Sequence, residues 1–213
     1  MFMIHFNKLL YSIVIAAFCG AGIAGSFDDF FRAVRTDNAV GVSELLARGF
    51  DPNTHEESGQ SALTLAVREG AQKVTDALLK HPQLDVNALN RAGESALMLA
   101  ALKGDLPLVR SLVERGAAIN QPGWNALHYA ATGPNVEVAA WLIERGAQLE
   151  ARSPNGTTAL MMAAGYGNEQ TAELLLAKRA NAEPRNERGL SAADFARAGG
   201  REALAKRLDS RLR

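Results

Sequence analysis

The chain has one cysteine, Cys19, and it sits inside an apolar N-terminal run. No disulfide can form within the chain, and once that run is removed no thiol remains for catalysis or metal binding. Aromatic residues are few, at 6%. Net charge is absent, with 23 basic groups against 23 acidic ones. Lys8 is the only charged residue before Asp28, so the remainder stands at 22 against 23. The basic stripe that grips a phosphate backbone is missing, and so is a polybasic patch for an anionic membrane. Nucleic acid is therefore excluded as a partner, and membrane contact is limited to passage of the N-terminus. No apolar run reaches the roughly 20 residues of a bilayer-spanning helix; the longest, Leu9 to Ala24, has 16.

Recognisable catalytic patterns are missing too. Beyond the N-terminal run lie His55, His81 and His128, in three separate places. None makes the H-x-x-x-H or H-E-x-x-H spacing that puts two ligands on one helix face. No serine sits in a G-x-S-x-G elbow. The glycines recur at a fixed long period, which explains them without a phosphate cradle. Carboxylates are scattered, and no pair is set apart by apolar neighbours. The expectation is a protein that is not an enzyme, with no cofactor and no metal.

What is present begins with a leader. Residues 1–24 have one positive charge, then the apolar stretch LLYSIVIAAFCGAGIA ending in small residues. That is the layout of a secretory signal peptide. Gly22 and Ala24 fit the two small pockets of a signal peptidase, which puts cleavage after Ala24, with Ser26 the next choice. An uncleaved anchor is the competing reading. Export to the periplasm or secretion is the expected localisation, and a cysteine-free mature chain enters an oxidising compartment without mispairing.

The remainder is a repeat. GQSALTLAVREG starts at Gly59, GESALMLAALKG at Gly93, GWNALHYAATGP at Gly123, GTTALMMAAGYG at Gly156 and GLSAADFARAGG at Gly189. The first alanine after each apolar turn falls at Ala66, Ala100, Ala130, Ala163 and Ala196, at intervals of 34, 30, 33 and 33. Ala33, inside FDDFFRAV, marks an atypical first copy. Six copies of one helical unit predict a stacked array in which each layer leans on its neighbours. Approximate copies are 27–55, 56–89, 90–120, 121–152, 153–185 and 186–213, forming one domain over 25–213.

Within a copy, Ser61, Ser95 and Thr158 suit helix N-caps. Leucines such as Leu63, Leu78, Leu97, Leu112, Leu127, Leu142, Leu160 and Leu175 fill the layers, and Trp141 takes a second-helix leucine position. In the first copy, Phe27, Phe30, Phe31 and Val34 share one helix face, with Asp28 and Asp29 expected in its first turn, where the helix dipole favours them. Leu204 and Leu208 close the far end. One connection is short: six residues separate Asn87 from Gly93, but three separate Asn120 from Gly123. A notch is expected there, between the third and fourth copies.

These residues resemble the ankyrin repeat. Its T-P-L-H-x-A signature appears as Ser61-Ala62-Leu63, Ser95-Ala96-Leu97, Asn125-Ala126-Leu127-His128 and Thr158-Ala159-Leu160, with alanine in place of proline and one surviving histidine. The resemblance implies an all-α repeat solenoid of helix-turn-helix pairs joined by β-hairpin fingers, about six repeats including atypical caps. With the leader, the chain resembles an exported ankyrin repeat protein of bacterial type. It implies that His128 hydrogen-bonds between neighbouring loops. It further implies a monomeric, non-enzymatic scaffold that binds another protein on its concave face.

Carried onto this chain, the binding positions are Gln60, Arg68, Glu69, Arg91, Glu94, Leu102, Lys103, Trp124, Thr132, Thr157, Tyr166, Arg188 and Leu190. Trp124 stands where other copies have Gln60, Glu94 or Thr157. Two roles fit it: an anchor for a partner in the notch, or a cover for backbone bared by the missing residues. The alternatives to a scaffold are an enzyme or small-ligand domain with an unrecognised site, and an effector acting in a host cell.

Overall fold

The computed structural model describes residues 22–210, with side chains from Gly25 onward. Nearly all of the expected leader lies outside the described residues. Among the described residues twelve helices form six pairs: α1 (Gly22–Arg35) with α2 (Ala39–Ala47), α3 (Ala62–Glu69) with α4 (Gln72–Leu79), and α5 (Ala96–Lys103) with α6 (Leu106–Glu114). Then come α7 (Ala126–Thr132) with α8 (Val136–Glu144), α9 (Ala159–Gly165) with α10 (Glu169–Ala177), and α11 (Ala192–Ala198) with α12 (Glu202–Ser210). The fold is the all-α repeat solenoid that the period predicts.

Each first helix from α3 on opens by one device. Ser61, Ser95, Asn125, Thr158 and Ser191 lie in extended backbone, and their side-chain oxygens accept the N–H of Thr64, Met98, His128, Met161 and Asp194. Such a cap is worth about 1 kcal/mol. Among the second helices, Asn38, Asp105, Asn135 and Asn168 do the same for α2, α6, α8 and α10. α4 is preceded by Ala71, which has no side-chain acceptor to offer.

Packing follows residue size. Ala66, Ala100, Ala130, Ala163 and Ala196 are fully buried, so neighbouring first helices approach closely. They pack on one another more intimately than the second helices do. Gly167 marks the tightest approach: a Cβ there would lie 1.9 Å from the Ala131 carbonyl oxygen. α9 itself ends at Gly165, two residues before Gly167. Trp141 is buried, flanked by the guanidinium groups of Arg145 at 4.7 Å and Arg110 at 5.9 Å.

Side-chain amides join the loops between copies. Asn53 Nδ2 donates to Gln83 O while its Oδ1 accepts Asp85 N–H; Asn87 does this to Gly116 and Ala118, and Asn120 to Gly146 and Gln148. Glu150 holds the next rung and only accepts, from Asn181 N–H at 2.8 Å.

At the near end Phe30 and Phe50 stack at 4.3 Å, and Phe30, Phe31 and Val34 are buried. α1 is already helical at Gly22, where the described residues begin, ahead of the expected FDDFFRAV. Asp28 and Asp29 consequently lie in its second turn and not its first; Asp29 pairs with Arg32. At the far end Leu204 and Leu208 are buried, and Arg207 pairs with Glu169 and Glu173 of α10.

Candidate functional site

The connections before the first helices stand as fingers. Four close identically: the N–H of Glu56, Asn90, Ser153 and Asn186 donates to the carbonyl of Gln60, Glu94, Thr157 and Leu190 respectively. Single β-bridges, His55 with Ser61 and Leu89 with Ser95, are the extent of sheet pairing among the described residues. The fingers also lean on each other. A Cβ on Gly59 would meet Arg91, one on Gly123 would meet Pro154, and one on Gly156 would meet Asn186. Gly93 breaks this series, with nothing within 4 Å, like Gly189 at the end of the row. The notch therefore opens beside Gly93, where only Gln121 Nε2 reaches across to the Gly93 carbonyl, at 3.5 Å.

Below the notch, a depression of about 200 Å³ runs across three first helices. Leu102 of α5, His128, Tyr129 and Thr132 of α7, Met162 of α9 and Trp124 from the short turn line it. Trp124 is half-buried, its ring edge-on to His128 at 5.2 Å. Leu102 is 40% exposed and Tyr166, beyond Met162, is 67% exposed. Tyr166 meets Phe195 edge-on at 6.1 Å.

The floor is fixed by polar contacts. His128 is buried; its Nε2 lies 3.0 Å from the Thr157 carbonyl and its Nδ1 3.3 Å from Asn125 N–H. The Thr157 carbonyl can only accept, so Nε2–H donates to it, the bridge between neighbouring loops that the motif implies, while Nδ1 also lies 2.9 Å from Asn125 Oδ1. Desolvation holds the imidazole pKa below its ordinary value, outweighing the stabilising backbone contacts. Asn125 Oδ1 accepts the N–H groups of Leu127 and His128, which leaves its buried Nδ2 without a partner.

Glu94 is the hub on one side. It accepts from Arg68 Nη2 at 2.9 Å, Asn90 Nδ2 at 2.8 Å and Tyr129 Oη at 3.0 Å, tying three copies together. Burial and then the Glu94 contacts push the Tyr129 phenol well above its usual range.

The expected surface positions divide accordingly. Arg68, Arg91, Leu102, Lys103, Tyr166 and Arg188 are exposed. Gln60, Glu94, Trp124 and Thr132 are half-buried, and the hydroxyl of Thr132 donates to the Tyr129 carbonyl. Lys103 Nζ donates to the Arg68 carbonyl at 2.7 Å, at the end of α3. Thr157 corrects the expectation of exposure: it is 2% exposed, because Asn186 of the next finger closes over its hydroxyl. Tyr129 and Met162 were absent from the expected set, though both lie four residues after an N-cap on the same face as Leu102 and Thr132. Among the described residues, no group of three or more His, Cys, Asp or Glu side chains gathers to hold a metal.

Charge divides the surface as well. Residues 121–133 and 153–167, which supply the short turn, the fifth finger, α7 and α9, contain no Asp, Glu, Lys or Arg. The matching stretch of the second copy has Glu56, Glu57, Arg68 and Glu69, and that of the sixth has Glu187, Arg188, Asp194 and Arg197. An uncharged centre between charged margins is the anatomy of a protein interface.

A family model described as "Ankyrin repeats (3 copies)" matches residues 30–122 and 97–187. The chain is 42% identical over 86 residues to a protein named B-cell lymphoma 3 protein homolog from Mus musculus, a match covering 40% of this chain and 19% of that protein. It is 45% identical over 74 residues to the photoreceptor ankyrin repeat protein of Homo sapiens, covering 34% and 15%. A Caenorhabditis elegans protein named poly [ADP-ribose] polymerase tankyrase matches at 40% over 70 residues, covering 32% of this chain and 3% of its own length. The chain thus spans less than a fifth of each of these relatives.

Proposed function

The chain belongs to the ankyrin repeat family, and we propose that it is a non-enzymatic scaffold, monomeric and exported to the periplasm or secreted, which binds another protein through its concave face. The observation that carries this reading is the charge-free strip of the fourth and fifth copies. There Trp124, Tyr129, Met162 and Tyr166 offer large apolar contact area without desolvating an ion. Buried aromatic anchors in an uncharged centre dominate binding energy in interfaces of this kind. Of the two roles open to Trp124, the anchor fits this reading: its ring stands edge-on to His128, and the residue is only half-buried, so surface is left for a partner. Leu102 and Thr132 line the same depression, and Gln60, Arg68, Arg91, Lys103 and Arg188 form the margin.

A photo-crosslinking residue in place of Met162 in growing cells should trap one discrete partner, while the same residue at Glu137 on α8 should trap none. Crosslinks from Glu137 alone would overturn the concave reading. The leader supports export, and N-terminal sequencing of the mature protein should begin at Gly25, with the protein outside the cytoplasmic fraction. An intact Met1 in the cytoplasm would refute it.

A further inference from the structure

Resting on that reading, we infer that a proton on His128 regulates the strip: with the ring neutral the depression is an apolar seat, and with the ring charged it is not.

A mismatch at the fourth copy leads to this. In two other copies the third helical residue is polar, and the N-cap hydroxyl bonds it: Ser61 Oγ lies 3.0 Å from Thr64 Oγ1, and Ser191 Oγ donates to Asp194 Oδ2 at 2.8 Å. His128 holds the matching position of α7, but its cap is Asn125. The cap atom beside the ring is the amide oxygen, because it accepts the N–H groups of Leu127 at 3.1 Å and His128 at 3.3 Å. That oxygen has no hydrogen to give.

His128 Nδ1 therefore has two neighbours that require opposite things of it. Asn125 N–H, at 3.3 Å, requires a lone pair. Asn125 Oδ1, at 2.9 Å, requires a hydrogen. The neutral ring, with its hydrogen on Nε2 for the Thr157 carbonyl, satisfies the first and sets lone pair against lone pair at the second. Protonation reverses the choice: Nδ1–H donates to Oδ1, and Asn125 N–H loses its acceptor. Both neighbours belong to the residue after Trp124, whose ring stands edge-on to His128 at 5.2 Å.

Among the described residues no ion answers the new charge. The short turn, α7, the fifth finger and α9 contain no Asp, Glu, Lys or Arg. On α7, Tyr129 is bound to Glu94 of the third finger, and Glu94 is already paired with Arg68. α5 brings Lys103, held on the Arg68 carbonyl. α8 brings Glu137 and Glu144, both exposed. Arg152, ahead of the fifth finger, donates to the Arg185 carbonyl. His128 lines the depression with Leu102, Trp124 and Met162, so its charge draws water through that opening. An apolar side chain seated there would strip the water away, a penalty that the neutral ring does not impose. The apolar anchor of the partner is held at neutral pH and released in acid.

The test compares the purified protein, expressed from its full chain, with two variants that keep an N-cap residue on α7. Asn125→Thr gives the cap a hydroxyl hydrogen for Nδ1 and favours the neutral ring; Asn125→Asp sets a carboxylate against it and favours the charged one. Imidazole nitrogen NMR follows His128, whose midpoint should move down in Asn125→Thr and up in Asn125→Asp. The seat is probed with N-phenyl-1-naphthylamine, which stays uncharged from pH 8 to pH 5. Its affinity should be level at the upper end and fall by up to about tenfold per pH unit below the His128 midpoint. In each variant the fall should be displaced with the midpoint. His128→Gln should bind the probe equally throughout, and Trp124→Ala should weaken it at every pH, which locates it in the depression. Circular dichroism reports the fold at each pH; if the parent protein unfolds before His128 titrates, Asn125→Asp, with its higher midpoint, decides.

Midpoints that do not separate between the two variants, or a probe affinity that ignores the midpoint in a folded protein, overturn the inference. Absence of probe binding at any pH overturns it too, since the depression is then no apolar seat. In each of these cases Met162 crosslinking at neutral pH still decides the concave reading; loss of that crosslink refutes the reading and the regulation with it.

Discussion

Asp37 Oδ1 accepts the backbone N–H of Val74 at 2.9 Å, so a residue of the first copy caps a helix of the second. Ala71 cannot cap α4 from its own position, and Asp37 supplies the acceptor at the third residue of that helix. Its backbone lies in the left-handed region, at φ 51°, to reach it. Asp37→Ala should lower stability in urea by about 1 kcal/mol. Asp37→Asn, which keeps the oxygen and tolerates that φ, should lower it by less than half as much. Equal losses for the two would show that the side-chain acceptor is not what matters.

Gly167→Ala should be the more damaging change. Its Cβ would meet the Ala131 carbonyl at 1.9 Å, and neither backbone has a side chain to move aside. Overpacking of this kind costs about 3 kcal/mol. Thermal melts should show the loss, with hydrogen exchange rising first across α7 and α9.

Arg179 has φ 69°, at the position after a second helix where the second-helix ends of other copies have Gly49, Gly116 and Gly146 with positive φ. A side chain is strained there, and glycine is not. Arg179→Gly should raise stability by about 0.5–1 kcal/mol, read as an increase in Tm. A lower Tm would mean that the Arg179 side chain contributes more than its backbone strain costs.

The His128 environment sets a pH dependence. Burial lowers its pKa below the ordinary 6.5, so below that pH the unfolded chain binds more protons than the folded one. The contribution is complete above pH 6.5 and is lost as pH falls toward the lowered folded value, by at most about 1.4 kcal/mol per unit. Urea midpoints should fall between pH 6.5 and 5.5, and His128→Gln should flatten that fall. Asp194, whose carboxyl is lowered by hydrogen bonds from Ser191, loses its contribution only as pH drops below 3.8, outside this window.

The array was legible in the sequence because its determinants are local and repeated. Ser61, Ser95 and Thr158 mark helix starts, and Ala66 to Ala196 mark the close contacts. The short connection before Gly123 was legible by counting, and the gap beside Gly93 follows from it. Glu94 was not legible as a hub, since Arg68 and Tyr129 reach it from positions 26 and 35 residues away. Thr157 occupies a position that is partly open in other copies and is shut here by Asn186. Tyr129 and Met162 sit where leucine fills the core elsewhere, and only the three-dimensional row shows them meeting solvent beside Trp124. Asp37 bears no mark of a cap, because the helix it serves belongs to another copy.

The gap beside Gly93 has a mechanical consequence. α5 and α7 stay closely packed across it, while the fingertips there meet through the one long Gln121–Gly93 contact. A guest that spreads or closes the row at that seam therefore works against helix packing and hardly at all against the hairpins.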